Sequence, residues 1–317
     1  MLVFRHLDDI PAGFGPTVVS VGNFDGVHRA HREVVRHMAE RARLFGGEAV
    51  VVTFEPHPLR ILRPDAAPRL LTPLPAKLKL LEQTHVDAVL VLPFTRDLSM
   101  MSAADFAREV LAGKLHAREV HEGYNFHFGH KASGNVNTLA DLGRQFGFAT
   151  KIFPEQRLHG HHVSSSEIRK LIRRGEVSHA RALLGRAFSL LGNPGRGRGY
   201  GHKYTVPTIN FARYDELVAA DGVYITWLRV GKECFEAVTN IGNRPTFGTE
   251  SFAIESHILN FHPIELLPDT ELELSFLKRL RPEIKFPSVE ALREQIAKDV
   301  HKARRYFRLQ KVVQVRA

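Results

Sequence analysis

The stretch that decides the fold reads VVSVGNFDGVHRAH, residues 18–31. Its first four residues, Val18–Val21, are typical of a buried strand, and from Arg29 onward apolar residues recur at helical spacing. Two glycines, Gly22 and Gly26, lie between strand and helix. Open α/β sheets bind ligands at such turns, because the helix N-terminus offers unpaired N–H groups. The stretch therefore predicts an α/β domain with an anion site at its first turn.

The residues around this stretch continue the α/β pattern to about Leu184, since short apolar runs alternate with longer amphipathic ones. The predicted strands are Thr17–Gly22, Glu48–Glu55, Asp87–Pro93, Arg118–Glu122 and Thr150–Phe153. The predicted helices are Arg29–Phe45, Ala76–Gln83, Ser102–Ala112 and Ser165–Arg174.

After Gly185 the pattern changes to a glycine- and arginine-rich stretch, followed by strand-like runs that fit a small antiparallel barrel or sandwich. These runs are Gly222–Val230, Phe235–Ile241, Ala253–Phe261 and Glu271–Leu277. One helix, from about Ser288 to Arg308, follows them. The fold class is therefore α/β plus mostly β. We expect two domains, residues 1–185 and 186–317, with the boundary near Leu184–Phe188.

Composition limits the class of protein. Of 317 residues, 44% are hydrophobic and 25% are charged, which is typical of globular proteins. No apolar run approaches the ~20 residues that span a bilayer, and the acidic N-terminus with its early proline is no signal peptide, so we expect a cytoplasmic protein. The single cysteine, Cys234, excludes a disulfide scaffold or a cysteine-rich zinc site. The net charge of +10 should attract anions, but it does not distinguish whether the partner is nucleic acid, a nucleotide or acidic lipid.

Two histidines, His28 and His31, lie one helical turn apart and can donate hydrogen bonds to phosphate oxygens. An isolated H-x-x-H is more often a metal pair or two surface histidines. Here no third ligand has a recognisable spacing, and the residues before His31 are far more specific than the histidine pair alone. The pattern therefore favours nucleotidyl transfer.

Residues 22–31, GNFDGVHRAH, resemble the G-x-F-D-G-V-H-x-G-H signature of cytidylyltransferase-like nucleotidyltransferases, specifically the prokaryotic bifunctional riboflavin kinase/FMN adenylyltransferases, or FAD synthetases. Three further segments are similar to that family's motifs: TFEPHP at 53–58, GYNFHFG at 123–129 and SSSEIR at 164–169. The resemblance covers nearly the whole chain and implies a Rossmann-like nucleotidyltransferase fold for the N-terminal domain.

The resemblance implies that His28 and His31 are catalytic and hold the ATP phosphates while the FMN phosphate attacks the α-phosphorus and expels pyrophosphate. The implied ATP contacts are Gly22, Phe24, Gly26, Asn125, Ser165, Ser166 and Arg169. The implied flavin contacts of this domain are Phe54, Pro56 and His57. Helix capping is the alternative role for the serines.

Three residues depart from the family's pattern in this domain. Ala30 replaces a glycine between the histidines, and His127 and Glu167 replace arginines. The two arginine replacements lower the positive charge beside a polyanion. His28, His31 and Arg169 remain, so adenylation is still expected.

Residues 192–203, GNPGRGRGYGHK, alternate glycine with cations and can fold over a polyphosphate through backbone N–H groups. Alone, such a run is more often a flexible RNA-contacting or linker segment. The next motif, VPTIN at 206–210, resembles the P-T-A-N motif of riboflavin kinases, whose Thr and Asn oxygens help bind Mg²⁺ and the ATP phosphates. The implied metal ligands are Thr208 and Asn210, and the implied ATP contacts are Gly195, Arg196, Gly197 and Arg198. The loop is about four residues longer than the family's, and Ile209 replaces an alanine.

Four later segments are similar to riboflavin kinase motifs in the expected order: DGVY at 221–224, NIGNRPTF at 240–247, ESHIL at 255–259 and RPEIKF at 281–286. They imply a riboflavin-kinase-type β-barrel with a C-terminal helix. We predict that Glu255 is the general base of this reaction. A base is needed because the ribityl 5′-hydroxyl loses its proton as it attacks the γ-phosphorus. The resemblance also implies that Arg281 and Glu283 contact the flavin. The family's D-L-Y-G segment is absent, so the resemblance does not predict how this chain closes over the flavin.

Three hypotheses follow. The first is a bifunctional enzyme that uses ATP, riboflavin, FMN and Mg²⁺, makes FAD, and has no nucleic-acid or membrane partner. The second retains only one of the two activities. The third is a basic nucleic-acid-binding protein with a vestigial nucleotide pocket; against it, aromatic residues are not interleaved with the cations as a stacking platform requires.

Overall fold

The computed structural model describes residues 1–195, 208–244, 251–262, 264 and 266–315. The chain forms two compact units, Met1–Ser165 and Ser166–Ala317. The division between functional domains at residues 185 and 186 stays a prediction.

The first unit is built on a six-stranded sheet with the order β1-β4-β3-β2-β5-β8, in which every neighbouring pair is parallel. Four further short strands form two hairpins, β6 with β7 and β9 with β10. The bounds are β1 Leu2–Phe4, β2 Thr17–Val21, β3 Glu48–Glu55, β4 Ala88–Pro93, β5 Ala117–Gly123, β6 His127–Phe128, β7 Gly134–Asn135, β8 Ala149–Phe153, β9 Arg157–Leu158 and β10 His161–His162.

Helices cover both faces of this sheet. Along β2, Val18 packs into one hydrophobic cluster and Val19 and Val21 into another, because successive strand residues point to opposite faces. Such two-sided burial is typical of parallel sheets. The helices are α1 Arg29–Leu44, α2 Pro58–Leu62, α3 Leu74–Glu82, α4 Arg96–Met100, α5 Ala103–Asp105, which continues as a π-helix over Phe106–Lys114, and α6 Val136–Phe146; α7, Ser165–Arg173, crosses the division between the units.

The strand order locates the ligand crevice of the first unit. From β2 the chain proceeds outward through β3 and β4 on one side, and then returns to place β5 and β8 on the other side. The carboxyl ends of β2 and β5 therefore flank the topological switch point, where open α/β sheets bind ligands.

The second unit contains an antiparallel sheet with the order β11-β16-β13-β14-β15-β12. Its elements are α8 Val177–Leu184, β11 Phe188–Gly192, β12 Thr208–Asn210, β13 Gly222–Val230, β14 Glu233–Arg244, β15 Ser251–Ile258, β16 Leu272–Arg281 and the C-terminal helix α9 Val289–Val315.

The sheet closes where the segments that flank its two edge strands meet. Gly195 N donates to Asn210 O at 2.8 Å and Ala212 N donates to Asn193 O at 2.9 Å. A Cβ at Gly195 would lie 2.5 Å from the carbonyl oxygen of Phe211, so only glycine permits this approach. These two bonds join the segments beside β11 and β12 and close the sheet into a barrel.

The C-terminal helix packs on the outer face of the barrel. Ala303 and Phe307 of α9 join Val223 and Ile225 of β13 in one hydrophobic cluster. The helix is also held by charge, because Arg281 Nε of β16 lies 2.9 Å from Oδ2 of the buried Asp299.

The predicted fold class is confirmed: a Rossmann-like α/β unit precedes an antiparallel barrel and a C-terminal helix. Helix α6 and the edge strands β1, β11 and β12 lie outside the predicted elements, and α9 extends beyond Arg308. Among the described residues, no helix combines the length and the apolar character that crossing a membrane requires.

Three hydroxyl groups form a buried hydrogen-bonded chain within the second unit. Thr239 Oγ1 lies 2.7 Å from Thr226 Oγ1 and 2.8 Å from Ser256 Oγ, and all three residues are fully buried. A T239V substitution keeps the shape and leaves two buried hydroxyls without their shared partner, so we expect it to lower the free energy of unfolding by about 1–3 kcal/mol.

The matched control is the triple variant T226V/T239V/S256A, which removes all three hydroxyls and should be the less destabilised of the two. Urea unfolding followed by the fluorescence of Trp227, the single tryptophan, reports on this unit. A triple variant that is less stable than T239V would show that the hydroxyls contribute to stability independently.

Candidate active sites

The turn that follows β2, residues 22–28, adopts an unusual backbone. Phe24, Gly26 and Val27 have φ values of 47°, 86° and 38°, in the left-handed region. Non-glycine residues occupy that region at a cost and do so where surrounding contacts hold them, often at functional sites.

Asp25 supplies those contacts on one side of the turn. Its carboxylate, 1% exposed, accepts hydrogen bonds from Leu71 N at 3.0 Å and from Thr72 N at 2.9 Å. The hydroxyl of Thr72 donates to Asp25 at 3.2 Å and accepts from Gly26 N at 2.9 Å. The turn is therefore clamped to the segment before α3.

Two further hydroxyls hold the carbonyl groups of the same turn. Ser165 Oγ donates to Asp25 O at 2.8 Å, and Thr53 Oγ1 donates to Asn23 O at 3.2 Å. Three segments distant in sequence thus hold one turn in place. The hydrogen bond from Ser165 to Asp25 O places this predicted ATP contact beside the turn.

The two predicted catalytic histidines stack on each other at the start of α1. Their ring centroids are 3.6 Å apart, and His28 Nδ1 accepts from His31 N at 3.4 Å. Burial, His28 and Lys77 lower the pKa of His31 well below its usual range, so its imidazole is neutral. Within the described part of the chain, the buried His31 Nδ1 has no hydrogen-bond partner, which leaves it available to a ligand.

The other predicted ATP contacts of this domain differ in exposure. Phe24 is 3% exposed, and its ring packs 4.8 Å from the ring of His31, while Gly22 N donates to Val52 O at 2.9 Å and extends the sheet. Asn125 is exposed just beyond β5. Ser166 is exposed and Arg169 is buried on α7, in the second compact unit.

The predicted flavin contacts of the first unit lie at the carboxyl end of β3, next to β2. Phe54 is half-buried and its ring contacts that of Phe94 at 5.6 Å. Pro56 follows it, and the buried His57 caps α2, because its Nδ1 accepts from Leu59 N at 3.2 Å. His57 therefore has a structural role besides any contact with substrate.

Glu122 is a buried residue of the crevice that the sequence did not reveal, since a glutamate in a strand normally faces water. The pairing of β2 with β5 ends at Val19 and Val120. Beyond that pair, Val21 N donates to the side chain of Glu122, at 2.5 Å from Oε1, and not to the backbone of β5. Burial raises the pKa of Glu122 well above its usual range, against the opposing effect of the hydrogen bonds with Val21 and Ser20.

The predicted kinase residues come together on one face of the barrel. Glu255 of β15 lies between Asn210 of β12 and Asn240 of β14, and Thr208 pairs with His257. Directly opposed residues place their Cβ atoms about 4.5–5.5 Å apart. Burial and Arg304 lower the pKa of His257, a neighbour of this site for which the sequence indicated no role.

These side chains suit Mg²⁺, which prefers oxygen ligands and keeps several positions for water and phosphate. Thr208 and Asn210 offer a hydroxyl and an amide oxygen beside the Glu255 carboxylate. Among the described residues no group of three or more histidines, cysteines, aspartates or glutamates could hold a metal ion. A metal bound here would therefore depend on these oxygens and on substrate phosphates.

The remaining predicted kinase residues differ in their surroundings. Arg281 is engaged by Asp299, and its guanidinium also lies over the ring of Phe286 at 5.6 Å. Glu283 places its carboxylate directly against Gly242. Gly195 lies at the barrel closure, whereas the predicted ATP contacts Arg196, Gly197 and Arg198 lie outside the described residues.

Comparison with known proteins gives two family matches. A family model for FAD synthetase matches residues 11–167, and one for riboflavin kinase matches residues 184–307. A bifunctional riboflavin kinase/FMN adenylyltransferase of Pseudomonas fluorescens is 33% identical over 311 residues, which cover 96% of this chain and 97% of the relative. Another from Buchnera aphidicola subsp. Schizaphis graminum is 31% identical over 316 residues, which cover 98% of this chain and 100% of the relative.

A similar solved structure carries a different description. The crystal structure of a macrolide-efflux protein from Streptococcus pneumoniae superimposes with a TM-score of 0.85 at 25% identity and covers 96% of this chain and 98% of its own. The likeness extends over both units of the chain.

The raised pKa of Glu122 leads to a prediction on stability. Because its folded-state pKa is raised, this carboxyl favours folding at low pH, and that contribution is lost as pH rises through the folded-state pKa. An E122Q substitution mimics the neutral acid and does not titrate. We expect E122Q to raise Tm at pH 8 by about 2–4 °C, the shift that roughly 1 kcal/mol produces in a unit of this size.

Thermal unfolding followed by circular dichroism at pH 5 and pH 8 measures this effect. The matched control is E82Q at the exposed end of α3, which should show the same Tm difference from the unmodified protein at both pH values. An E122Q variant that loses stability at pH 8 would show that the folded state needs a charged Glu122.

Proposed function

This chain belongs to the family of bifunctional riboflavin kinase/FMN adenylyltransferases. We propose that each of its two domains carries out one of the two reactions. The enzyme phosphorylates riboflavin to FMN with ATP, and it adenylates FMN to FAD with release of pyrophosphate. In this proposal residues 1–185 form the adenylyltransferase domain and residues 186–317 form the kinase domain.

One observation above all supports this division. Each unit gathers its own predicted reactive residues at one place: His28, His31 and Asn125 near the switch point of the parallel sheet, and Asn210 and Glu255 side by side in the barrel.

The adenylation step is a direct displacement at phosphorus. An oxygen of the FMN phosphate forms a bond to the α-phosphorus of ATP, and the bond from that phosphorus to the bridging oxygen of the β-phosphate breaks. The attacking phosphate is already ionised, so no general base is required. His28, His31 and the N–H groups at the start of α1 donate to the phosphates of ATP and stabilise the charge that develops.

The kinase step needs a base, because its nucleophile is an alcohol. The Glu255 carboxylate accepts the proton of the 5′-hydroxyl of riboflavin as that oxygen attacks the γ-phosphorus and ADP leaves. Asn210 and Asn240 on either side orient the carboxylate. Thr208 and Asn210 hold Mg²⁺, which supplies positive charge to the ATP phosphates when it is bound.

Substrate recognition is proposed residue by residue. Gly195, Arg196, Gly197 and Arg198 cover the ATP of the kinase, and Arg281 and Glu283 contact its flavin. The partners in this proposal are small molecules, with no nucleic acid and no membrane, and the reactions take place in the cytoplasm.

The test incubates the purified protein with riboflavin, ATP and Mg²⁺ and separates the flavins by chromatography. We expect FMN to appear first and FAD to follow. E255Q should abolish FMN formation while added FMN still becomes FAD, and H28A should do the reverse, each with a loss of at least about 100-fold in the affected step.

The two variants act as controls for each other, since each retains one activity of the folded chain. FMN that accumulates in the unmodified enzyme without FAD would favour a protein with a single activity. Loss of both steps in either folded variant would exclude two separate sites. Tight binding of random RNA at physiological salt would favour the nucleic-acid hypothesis instead.

A further inference from the structure

A lysine lies buried beside the clamped turn. Lys77, in the first turn of α3, is 4% exposed. Its Nζ donates to Thr53 Oγ1 at 3.2 Å, and within the described part of the chain this is the one hydrogen bond of its ammonium. An ammonium carries three donors, and buried polar groups are normally satisfied. Two donors of Lys77 therefore remain for an acceptor that is not part of the described chain.

Lys77 is linked through Thr53 both to the clamped turn and to the segment with the predicted flavin contacts. Thr53, its partner, also bonds to Asn23 of the clamped turn. The same Thr53 opens the segment that carries the predicted flavin contacts Phe54 and His57. The charge of Lys77 acts on His31, whose pKa it lowers. The ammonium thus lies beside Thr53 near the end of β3 and close enough to His31 to lower its pKa.

Burial and nearby carboxylates act in opposite directions on the pKa of Lys77. Burial lowers the pKa of Lys77, while the carboxylates of Asp25 and Glu55 act in the opposite direction. The Asp25 carboxylate is engaged by the N–H groups of Leu71 and Thr72. Lys77 therefore presents a buried amino group with N–H donors that an anion can accept.

We propose that Lys77 binds the phosphate group of FMN in the adenylation site, an inference that rests on the proposed function. The reaction brings a phosphomonoester against a triphosphate, and both are polyanions that repel each other. The N–H groups at the start of α1 and the neutral His31 serve the triphosphate. Lys77 serves the attacking phosphate, because it lies on the side of the predicted flavin segment.

In this arrangement the ammonium donates to the two phosphate oxygens that do not attack. The third oxygen forms the new bond to the α-phosphorus of ATP, pyrophosphate leaves, and no proton needs to be removed. Lys77 lowers the repulsion between the substrates and directs the attacking oxygen toward the clamped turn.

The experiment measures FAD formation with FMN and ATP varied separately in the unmodified protein and in K77M, K77R and K79M. We expect K77M to lower kcat/KM for FMN roughly 10- to 100-fold, the effect of losing a charge-assisted hydrogen bond, and to leave KM for ATP within about twofold. K77R should restore part of the loss. K79M, which changes an exposed lysine on the same helix, should behave as the unmodified protein.

A structural role for Lys77, as a counter-ion to Asp25, gives a different pattern. It predicts a KM for ATP that rises by the same factor as the KM for FMN, together with a lower Tm, and that result would overturn the proposal. An unchanged kcat/KM for FMN in K77M would overturn it as well. If K77M does not fold, K77Q takes its place, and the same selective loss for FMN is required.

The unmodified protein separates this inference from the function on which it rests. Without FAD formation from FMN and ATP by that protein, the proposed adenylation itself is wrong. With FAD formation intact and K77M equally active, only the role of Lys77 is wrong. Riboflavin phosphorylation should remain unchanged in all variants.

Discussion

The buried carboxylate of Asp25 is the contact on which the first centre depends. It holds the backbone of residues 71 and 72 and so keeps Phe24 and Val27 in a left-handed conformation that free residues avoid. That conformation places His28 at the start of α1 and brings the start of α3 close to the end of β3. The polar groups around the turn are thus fixed before any substrate arrives, which is the form of preorganisation that phosphoryl chemistry needs.

The second centre is organised by strand register. Asn210, Glu255 and Asn240 come from three adjacent strands, and the register of β12, β15 and β14 aligns them directly opposite one another. In the proposed mechanism one centre uses the N–H groups at the start of α1 for the phosphates of ATP, and the other uses a carboxylate for an attacking alcohol.

The sequence predicted the long elements well, because the strand at Glu48–Glu55 and the helix after Arg29 carry clear periodicity. It did not predict β1 or β12, which have three residues each, too few for a period, nor α6, whose glycine, asparagine and aspartate weaken helix propensity. At the site, local motifs located His28 and Glu255. Thr72, Lys77 and Glu122 carry no local signal, since only the tertiary fold brings them to the turn, and they lie 24 to 101 residues from their partners.

Two independent centres that act in sequence are the central claim of this account, and mixing two disabled enzymes tests it most directly. H28A and E255Q are combined in one solution with riboflavin, ATP and Mg²⁺, and FAD is measured by chromatography. The account predicts that FMN released by H28A is adenylated by E255Q, so that FAD forms in the mixture although neither variant makes it from riboflavin alone. A mixture that accumulates FMN without FAD, while E255Q alone converts added FMN, would contradict it.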